Sequence, residues 1–180
     1  MGGFILPYWT PIKMGLKMTG LAHEGRCLCG EIVFHVNAEP IHTTICHCKM
    51  CQRSTGSNYL IEPIFKLENL DVCEGQTTVY THISDVSKLA LHINFCKKCG
   101  TKLFQTFERF PEVVGVFGGT FDNPNWFSRT KENTRHIFVA SAAKDTVLPA
   151  GFALYDQHTA DAETGEKLKP YLLSAHKMVD

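Results

Sequence analysis

The chain is 180 residues long, and its 18 Lys plus Arg residues balance its 18 Asp plus Glu residues. This length is sufficient for one domain with a substantial hydrophobic core. Because the formal net charge is zero, there is no broad basic field to attract nucleic acid or an anionic membrane, and we expect neither as a partner. The first residues do not show a charged region followed by an apolar run and a small-residue cleavage site, and no apolar run reaches the ~20 residues that a membrane helix needs. We therefore expect a soluble, cytoplasmic protein without a secretory leader.

The two ends of the chain differ in composition from the middle. Residues 1–20 are rich in large apolar side chains but contain Pro7 and Pro11, which exclude a continuous helix. This segment is either a disordered leader or an extended arm that packs on the body or on a second subunit. We divide the chain into an N-terminal extension (1–24), one zinc domain (25–156) and a C-terminal tail (157–180). Pro170 predicts the start of a short helix in that tail, which is a lid, an oligomer contact or a frayed end, so a homo-oligomer is one expected form.

Short segments with a period of two dominate the chain from Gly25 onward. Residues 32–36 and 89–95 alternate apolar and polar side chains, which is typical of half-buried strands. Further candidate strands are residues 57–61, 77–82, 102–107, 113–117 and 136–140. Because no long segment has a helical period, the sequence predicts a mainly β fold, either a sandwich or a folded sheet.

Seven of the eight cysteines fall into three tight motifs. Such spacing in a chain expected to be cytoplasmic favours thiolate metal ligands over disulfides. One pair of cysteines precedes the first alternating strand, and another pair follows the second. Pairing of those two strands would therefore build one closed, structural four-cysteine zinc site from Cys27, Cys29, Cys96 and Cys99.

The third motif contains Cys46, Cys48 and Cys51 and leaves one tetrahedral position open. Three protein ligands plus an exchangeable one are typical of a catalytic zinc, although a histidine or Cys73 would convert it into a second structural site. We expect His47 to point away from the motif and Cys73 to be a small core residue. A soft three-thiolate centre is matched to a thiol substrate, which the metal would hold deprotonated and orient toward an electrophile.

The order of these motifs resembles that of the glutathione-dependent formaldehyde-activating enzyme family. The resemblance covers residues 25–141 and rests on four segments: Cys27-x-Cys29-Gly, Cys46-His-Cys48-x-x-Cys51-x-Arg53-Ser54-x-Gly56, Phe95-Cys96-x-x-Cys99-Gly, and Arg135-His136-Ile-Phe. It implies a zinc-stapled folded β-sheet, known as a β-tent, with two zinc ions per chain, one structural and one catalytic. It also implies carbon–sulfur lyase chemistry of the S-(hydroxymethyl)glutathione synthase type.

The leading hypothesis from the sequence is therefore a zinc enzyme that joins a small thiol, glutathione as the first candidate, to formaldehyde or a related electrophile. Candidate substrate contacts carried by the resemblance are Arg53, Ser54, Gly56 and His136. Lys49, Arg53 or Arg135 would meet substrate carboxylates, with a solvated surface charge as the alternative for each. The second hypothesis is a non-catalytic, zinc-stabilised β-tent binding module, because similar folds occur in protein-binding and chromosome-associated proteins. That module predicts four ligands at both zinc ions.

Overall fold

A computed structural model describes residues 22–162 and 164–180. Its strands are β1 (His23–Arg26), β2 (Val33–Val36), β3 (His42–Cys46), β4 (Leu60–Lys66), β5 (Leu70–Glu74), β6 (Thr78–Ile83), β7 (Ala90–Phe95), β8 (Lys102–Phe107), β9 (Val113–Val116), β10 (Thr134–Ile137), β11 (Val147–Leu148), β12 (Ala153–Leu154) and β13 (Lys177–Met178). One α-helix, α1 (Lys49–Thr55), and three short 3₁₀ turns complete the elements. The predicted mainly β class is confirmed.

The strands form three sheets. The large sheet has the order β12-β10-β3-β4-β9-β8-β7-β6, the three-stranded sheet has the order β1-β2-β5, and β11 pairs with β13. In the large sheet, β10 lies parallel to both β3 and β12, and the other pairs are antiparallel. The three-stranded sheet packs on one face of the large sheet through a core that includes Phe34, Phe65, Leu103, Val114 and Phe121.

The opposite face of the large sheet, which we call the site face, carries the side chains relevant to function. Cross-strand pairs place Cys46 beside Leu60, and Thr44 beside Glu62. Because side chains alternate along a strand, Cys46, Leu60 and Glu62 share one face, while Ile45 and Ile61 point to the other. A second apolar cluster on the site face consists of Cys46, Cys51, Leu60, Ile93, Phe117 and Ile137.

Several local predictions need correction. The strand predicted at 57–61 begins at Leu60, and the one predicted at 136–140 is β10, followed by a 3₁₀ turn at Val139–Ser141. The predicted helix after Pro170 is wrong, because this segment forms a bridge from Tyr171 to Leu154 and then the strand β13. There Leu173 and Val179 pack on a small cluster of Val139, Leu148 and Leu154. An apolar contact with the body, and not helix propensity, decides the conformation of this tail.

Residues 1–20, with their two alternative interpretations, lie outside the described residues. The strand β1 begins at His23 and pairs with β2, and the division at 24, 25, 156 and 157 stays a prediction, as does assembly into an oligomer. Among the described residues, no helix has both the length and the apolar character needed to cross a membrane.

Candidate metal centres and the site between them

The structure gathers seven cysteines into two groups. The first contains Cys27, Cys29, Cys96 and Cys99, and the second contains Cys46, Cys48 and Cys51; within each group the sulfur atoms lie within 4.8 Å of one another. All eight cysteines of the chain are free thiols. Both groups could therefore hold a metal ion.

The four-cysteine group is built from two similar turns. Cys27 and Cys96 each close a tight turn by donating a backbone hydrogen bond, Cys27 N–H to the Ile32 carbonyl and Cys96 N–H to the Thr101 carbonyl. Gly30 and Gly100 have φ angles of +75° and +76°, which other residues rarely adopt and which let the chain leave each turn. The two turns are also joined directly, because Leu28 N–H donates to Thr101 Oγ1 at 3.1 Å.

The expected reason for this assembly is wrong, although the four cysteines do meet. The strands β2 and β7 do not pair, because β2 belongs to the three-stranded sheet and β7 to the large sheet. The turn after β1 and the turn after β7 instead meet where the two sheets pack together. The sulfur distances of 3.5 Å from Cys27 to Cys29 and 3.7 Å from Cys29 to Cys96 fit a tetrahedral zinc, for which zinc–sulfur bonds of about 2.3 Å place the sulfurs about 3.8 Å apart.

The three-cysteine group lies where β3 ends and α1 begins. Cys46 is the last residue of β3, Cys48 caps the helix by accepting a 3.3 Å hydrogen bond from Cys51 N–H, and Cys51 is buried in the first turn. The hydrogen bond with Cys46 is the main cause that lowers the pKa of Cys48 to about 3, and the same contact raises the pKa of Cys46. One member of the group is thus an anion at neutral pH, as a metal ligand must be.

His47 points away from this group. Its Nε2 lies 3.0 Å from Nδ1 of His136, and both side chains are on the face of the large sheet opposite the site face. Burial lowers the pKa of each imidazole to about 4, so the pair is neutral at pH 7. His136, predicted to contact substrate, therefore lies beside a separate cleft of about 240 Å³ and not beside the three sulfurs.

The three basic residues predicted to meet substrate carboxylates lie in different environments. Lys49 and Arg53 are exposed on α1, whereas Arg135 lies on the site face, because it pairs with Thr44. Arg135 donates to His42 Nε2 in a short contact, and its own Nε has no partner among the described residues. Of the three predicted cations, only Arg135 is both partly buried and on the same face as Cys46.

A cleft of about 430 Å³ separates the two cysteine groups. Its walls come from the end of α1 and the segment after it, the turn after Cys99, and the glycine-rich turn at Gly118–Thr120. Predicted residue Ser54 lines it. The buried Ser54 Oγ has no hydrogen-bond partner within residues 22–162 and 164–180, and the Ser54 carbonyl accepts a hydrogen bond from Lys102 Nζ. Gly56 ends α1 with a φ of +66°, so its role in the structure is a helix cap. Leu60 and Phe117 belong both to the cleft and to the cluster around Cys46 and Cys51.

Glu62 is a site-face residue that sequence analysis missed. It is 5% exposed, and its Oε1 accepts a 2.6 Å hydrogen bond from Gln105 Nε2. Burial is the main cause that raises the pKa of its carboxyl to about 7; the charge of Cys48 raises it further, while Gln105 and Arg135 oppose the shift. Gly115 makes this position available, because a Cβ there would lie 2.0 Å from Glu62 Oε1. A lone glutamate within an apolar strand carries no sequence signal of this environment.

Comparison with known proteins agrees with the motif resemblance. The family model for the glutathione-dependent formaldehyde-activating enzyme matches residues 22–141. The chain belongs to this family.

Individual relatives are distant. A Halomonas elongata protein that is provisionally named a glutathione-dependent formaldehyde-activating enzyme is 28% identical over 103 residues, which are 56% of this chain and 66% of that protein. The match thus spans just under two thirds of the relative. A crystal structure of a Rhodobacter sphaeroides protein has a TM-score of 0.45 and 24% identity, covering 56% of this chain and 88% of that one.

Proposed function

We propose that this protein is a zinc-dependent enzyme that makes or breaks a carbon–sulfur bond between a small thiol and formaldehyde or a related small aldehyde. Glutathione is the first candidate for the thiol, as the family's name states. The observation that carries the proposal is the contrast between a group of four sulfurs and a group of three, because a metal held by three protein ligands keeps one position for an exchangeable ligand.

The donor chemistry supports zinc at both sites. Thiolates select soft or borderline ions, and the sulfur distances fit a tetrahedral ion of the size of zinc. Cys27, Cys29, Cys96 and Cys99 would hold the structural zinc, and Cys46, Cys48 and Cys51 the catalytic zinc. When bound by the three cysteines, zinc would supply stabilisation of a substrate thiolate near neutral pH.

The cleft between the cysteine groups is the proposed place for the rest of the thiol substrate. It borders the three-cysteine group through Leu60 and Phe117, and Lys102 provides a cation at its wall. The short bond of Lys102 to the Ser54 carbonyl would hold the ammonium in place to meet a substrate carboxylate. We propose Lys102 and Ser54 as contacts here, and the earlier candidates Arg53, Gly56 and His136 stay predictions.

Glu62 is the proposed carrier of the transferred proton. Carbon–sulfur bond formation removes a proton from the thiol and delivers one to the carbonyl oxygen. A carboxyl with a pKa of about 7 can accept the first and donate the second at neutral pH. Because Glu62 Oε1 accepts from Gln105, the acidic proton belongs on Oε2. Arg135, His42 and the directly paired Thr44 are polar groups on the same face as this carboxyl.

The test combines thiol binding with turnover. Zinc-loaded protein is titrated with glutathione, and zinc–sulfur coordination is followed by X-ray absorption; the average coordination should rise by about half a sulfur per zinc, because one of two zinc ions gains a ligand. Turnover of glutathione with formaldehyde is measured in parallel. Cys48→Ser should lose both signals, and Cys73→Ser, which removes the thiol outside both groups, should lose neither.

Two outcomes would contradict parts of the proposal. Four sulfurs at both zinc ions before any thiol is added would favour the non-catalytic binding module. Thiol binding with turnover that Glu62→Gln leaves unchanged would retain the enzyme and remove Glu62 as the proton carrier. Glu68→Gln, an exposed glutamate on the 3₁₀ turn after β4, is the matched control for that variant.

A further inference from the structure

The eighth cysteine lies in a reactive arrangement outside both metal groups. Cys73 Sγ is 2.6 Å from His35 Nδ1, and His35 Nε2 is 3.4 Å from Asp71 Oδ2. The expectation that Cys73 is a core residue is wrong, because its side chain is exposed on the outer face of the three-stranded sheet. A thiol, an imidazole and a carboxylate in this order form a nucleophile, a base and a group that orients the base.

Strand register produces this alignment. His35 on β2 pairs directly with Asp71 on β5, and the register shifts between Val33 and Phe34, where Phe34 pairs with Val72 and Val33 with Glu74. Cys73 is therefore the additional residue of a β-bulge. Bulges re-aim side chains, and this one turns the Cys73 thiol toward His35.

The carboxylate defines which ring nitrogen can act as a base. Asp71 is adjacent to Nε2, so the neutral ring keeps its N–H on that side and leaves Nδ1 as an acceptor toward Cys73. Burial, Asp71 and Glu24 raise the pKa of the Cys73 thiol, so it is protonated at neutral pH. Attack by this sulfur thus needs a neighbouring base, and His35 Nδ1 lies in contact with it.

We propose that Cys73 is a covalent modification site that forms a mixed disulfide with small neutral or cationic disulfides, with His35 as the base and Asp71 as its positioning residue. Cys73 Sγ attacks one sulfur of the disulfide while His35 Nδ1 takes the thiol proton. The new sulfur–sulfur bond forms as the old one breaks, and the departing thiolate receives the proton from His35. The exchange conserves electrons, because the oxidation number of the Cys73 sulfur rises by one as that of the departing sulfur falls by one.

Charge around Cys73 determines the class of disulfide. Glu24 faces His35 from β1, and Asp71 and Glu74 lie on β5 on either side of Cys73. The only cation near this face among the described strands β1, β2 and β5 is Arg26, which is already paired with Glu24 and Asp122. The surface field is therefore negative and disfavours an anionic disulfide such as glutathione disulfide. Neither of the two clefts described above is lined by Cys73 or His35. We therefore expect the site to select disulfides by their charge and not by their shape.

The experiment measures the rate of mixed-disulfide formation at Cys73 in the zinc-loaded protein by mass spectrometry of the Cys73 peptide. Three disulfides of different charge are compared at low ionic strength: cystamine, 2-hydroxyethyl disulfide and glutathione disulfide. We expect cystamine to react fastest and glutathione disulfide slowest. The differences between these rates should become smaller in 0.5 M salt, because surface charges are then screened. Glutathione disulfide reacting as fast as cystamine at low salt would overturn the charge selection.

Single-residue variants distinguish the role of His35 as a base from the effect of the negative surface charge around Cys73. With the neutral 2-hydroxyethyl disulfide, His35→Gln should slow modification of Cys73 by about tenfold or more, Asp71→Asn should slow it less, and His92→Gln on β7 should leave it unchanged. Glu24→Gln, an exposed change, should narrow the ratio of cystamine to glutathione disulfide rates and leave the neutral rate unaltered. Zinc content and circular dichroism verify that each variant is folded. An unchanged neutral rate in folded His35→Gln would remove His35 as the base.

Discussion

The two cysteine groups use the same ligand atom but connect the chain in different ways. Cys27 and Cys29 lie about 70 residues before Cys96 and Cys99, and their group joins the turn after β1 to the turn after β7. Cys46, Cys48 and Cys51 lie within one short segment and remain neighbours in any conformation. An ion in the first group favours the folded state, because the unfolded chain rarely brings those segments together. An ion in the second group can also bind the unfolded chain, which reduces its effect on stability.

Sequence separation, and not ligand count alone, thus indicates which group stabilises the fold. The four predictions that follow test this difference and the environment of the three-cysteine group. They run from the largest expected effect on the free energy of unfolding to the smallest.

Cys99→Ser should unfold the protein. Structural zinc sites contribute ~10 kcal/mol or more of binding free energy, which is comparable to the whole stability of a domain. Circular dichroism and zinc content of the purified variant give the answer. A soluble Cys99→Ser variant with native circular dichroism and one zinc would show that the two sheets stay packed without the four-cysteine zinc site.

Glu62→Gln should change the dependence of stability on pH. Because the folded-state pKa of about 7 is above the ordinary pKa of a glutamate, the buried carboxyl stabilises the fold at acidic pH, and this contribution is lost as the pH rises from about 4.5 through 7. The loss in the wild type is about 3 kcal/mol over that window. Urea unfolding of zinc-loaded protein at pH 5 and pH 8 should show a smaller difference for Glu62→Gln than for the wild type. Equal differences would show that Glu62 titrates normally.

Gly115→Ala should destabilise the protein through Glu62. The new Cβ would meet Oε1, Cδ and Cγ of Glu62 at 2.0 to 2.8 Å, and such overpacking costs about 1–3 kcal/mol. The cost should nearly vanish in a Glu62→Ala background, which a double-mutant cycle measures. Gly119→Ala is the control, because a Cβ there meets no atom of the described residues within 4 Å. If the destabilisation by Gly115→Ala were the same with and without the Glu62 side chain, the strain would not come from contact with Glu62.

Cys48→Ser should leave the fold intact, with a stability change of about 1 kcal/mol or less. Serine can still accept the hydrogen bond from Cys51 N–H that begins α1, whereas Cys48→Ala should lose about 1 kcal/mol more through the missing cap. Zinc content should fall from two ions to one. Should Cys48→Ser unfold as completely as Cys99→Ser, the contrast between the two groups would be lost and the three-cysteine site would be structural.

Much of the fold could be predicted from local sequence pattern. The strands β2, β6, β7, β8 and β9 lie close to the predicted strands. In β2 the buried Phe34 and Val36 flank the half-buried His35, as the alternation in the sequence predicts. The strand β3 carries no such pattern, since both faces are buried in the large sheet and its residues read as a mixed run. The helix α1 has seven residues, too few to show a helical period.

The site could be predicted only in part. The spacing of the metal ligands is a local property of the sequence, whereas the residues around them come from distant parts of the chain. The cysteine motifs are visible in the sequence, but the proximity of Glu62 to Arg135 depends on the parallel pairing of β10 with β3. The contact of Cys73 with His35 depends on a bulge between β2 and β5. Neither register can be derived from one sequence without the sheet order.

The parallel pair of β3 and β10 also has a consequence for biosynthesis. All four cysteines of the stapling group have left the ribosome once the chain extends some way beyond residue 99, so the two sheets can be joined early. The strand β10 begins only at Thr134, and until it is synthesised the β3 edge next to the three-cysteine segment has no partner. Contacts between residues so far apart in the chain form late, because loop closure must come first. A nascent chain would therefore keep this strand edge, beside the thiol-rich segment, exposed while residues 100–137 are translated. This interval is the point in the life of the protein at which early capture of metal matters most.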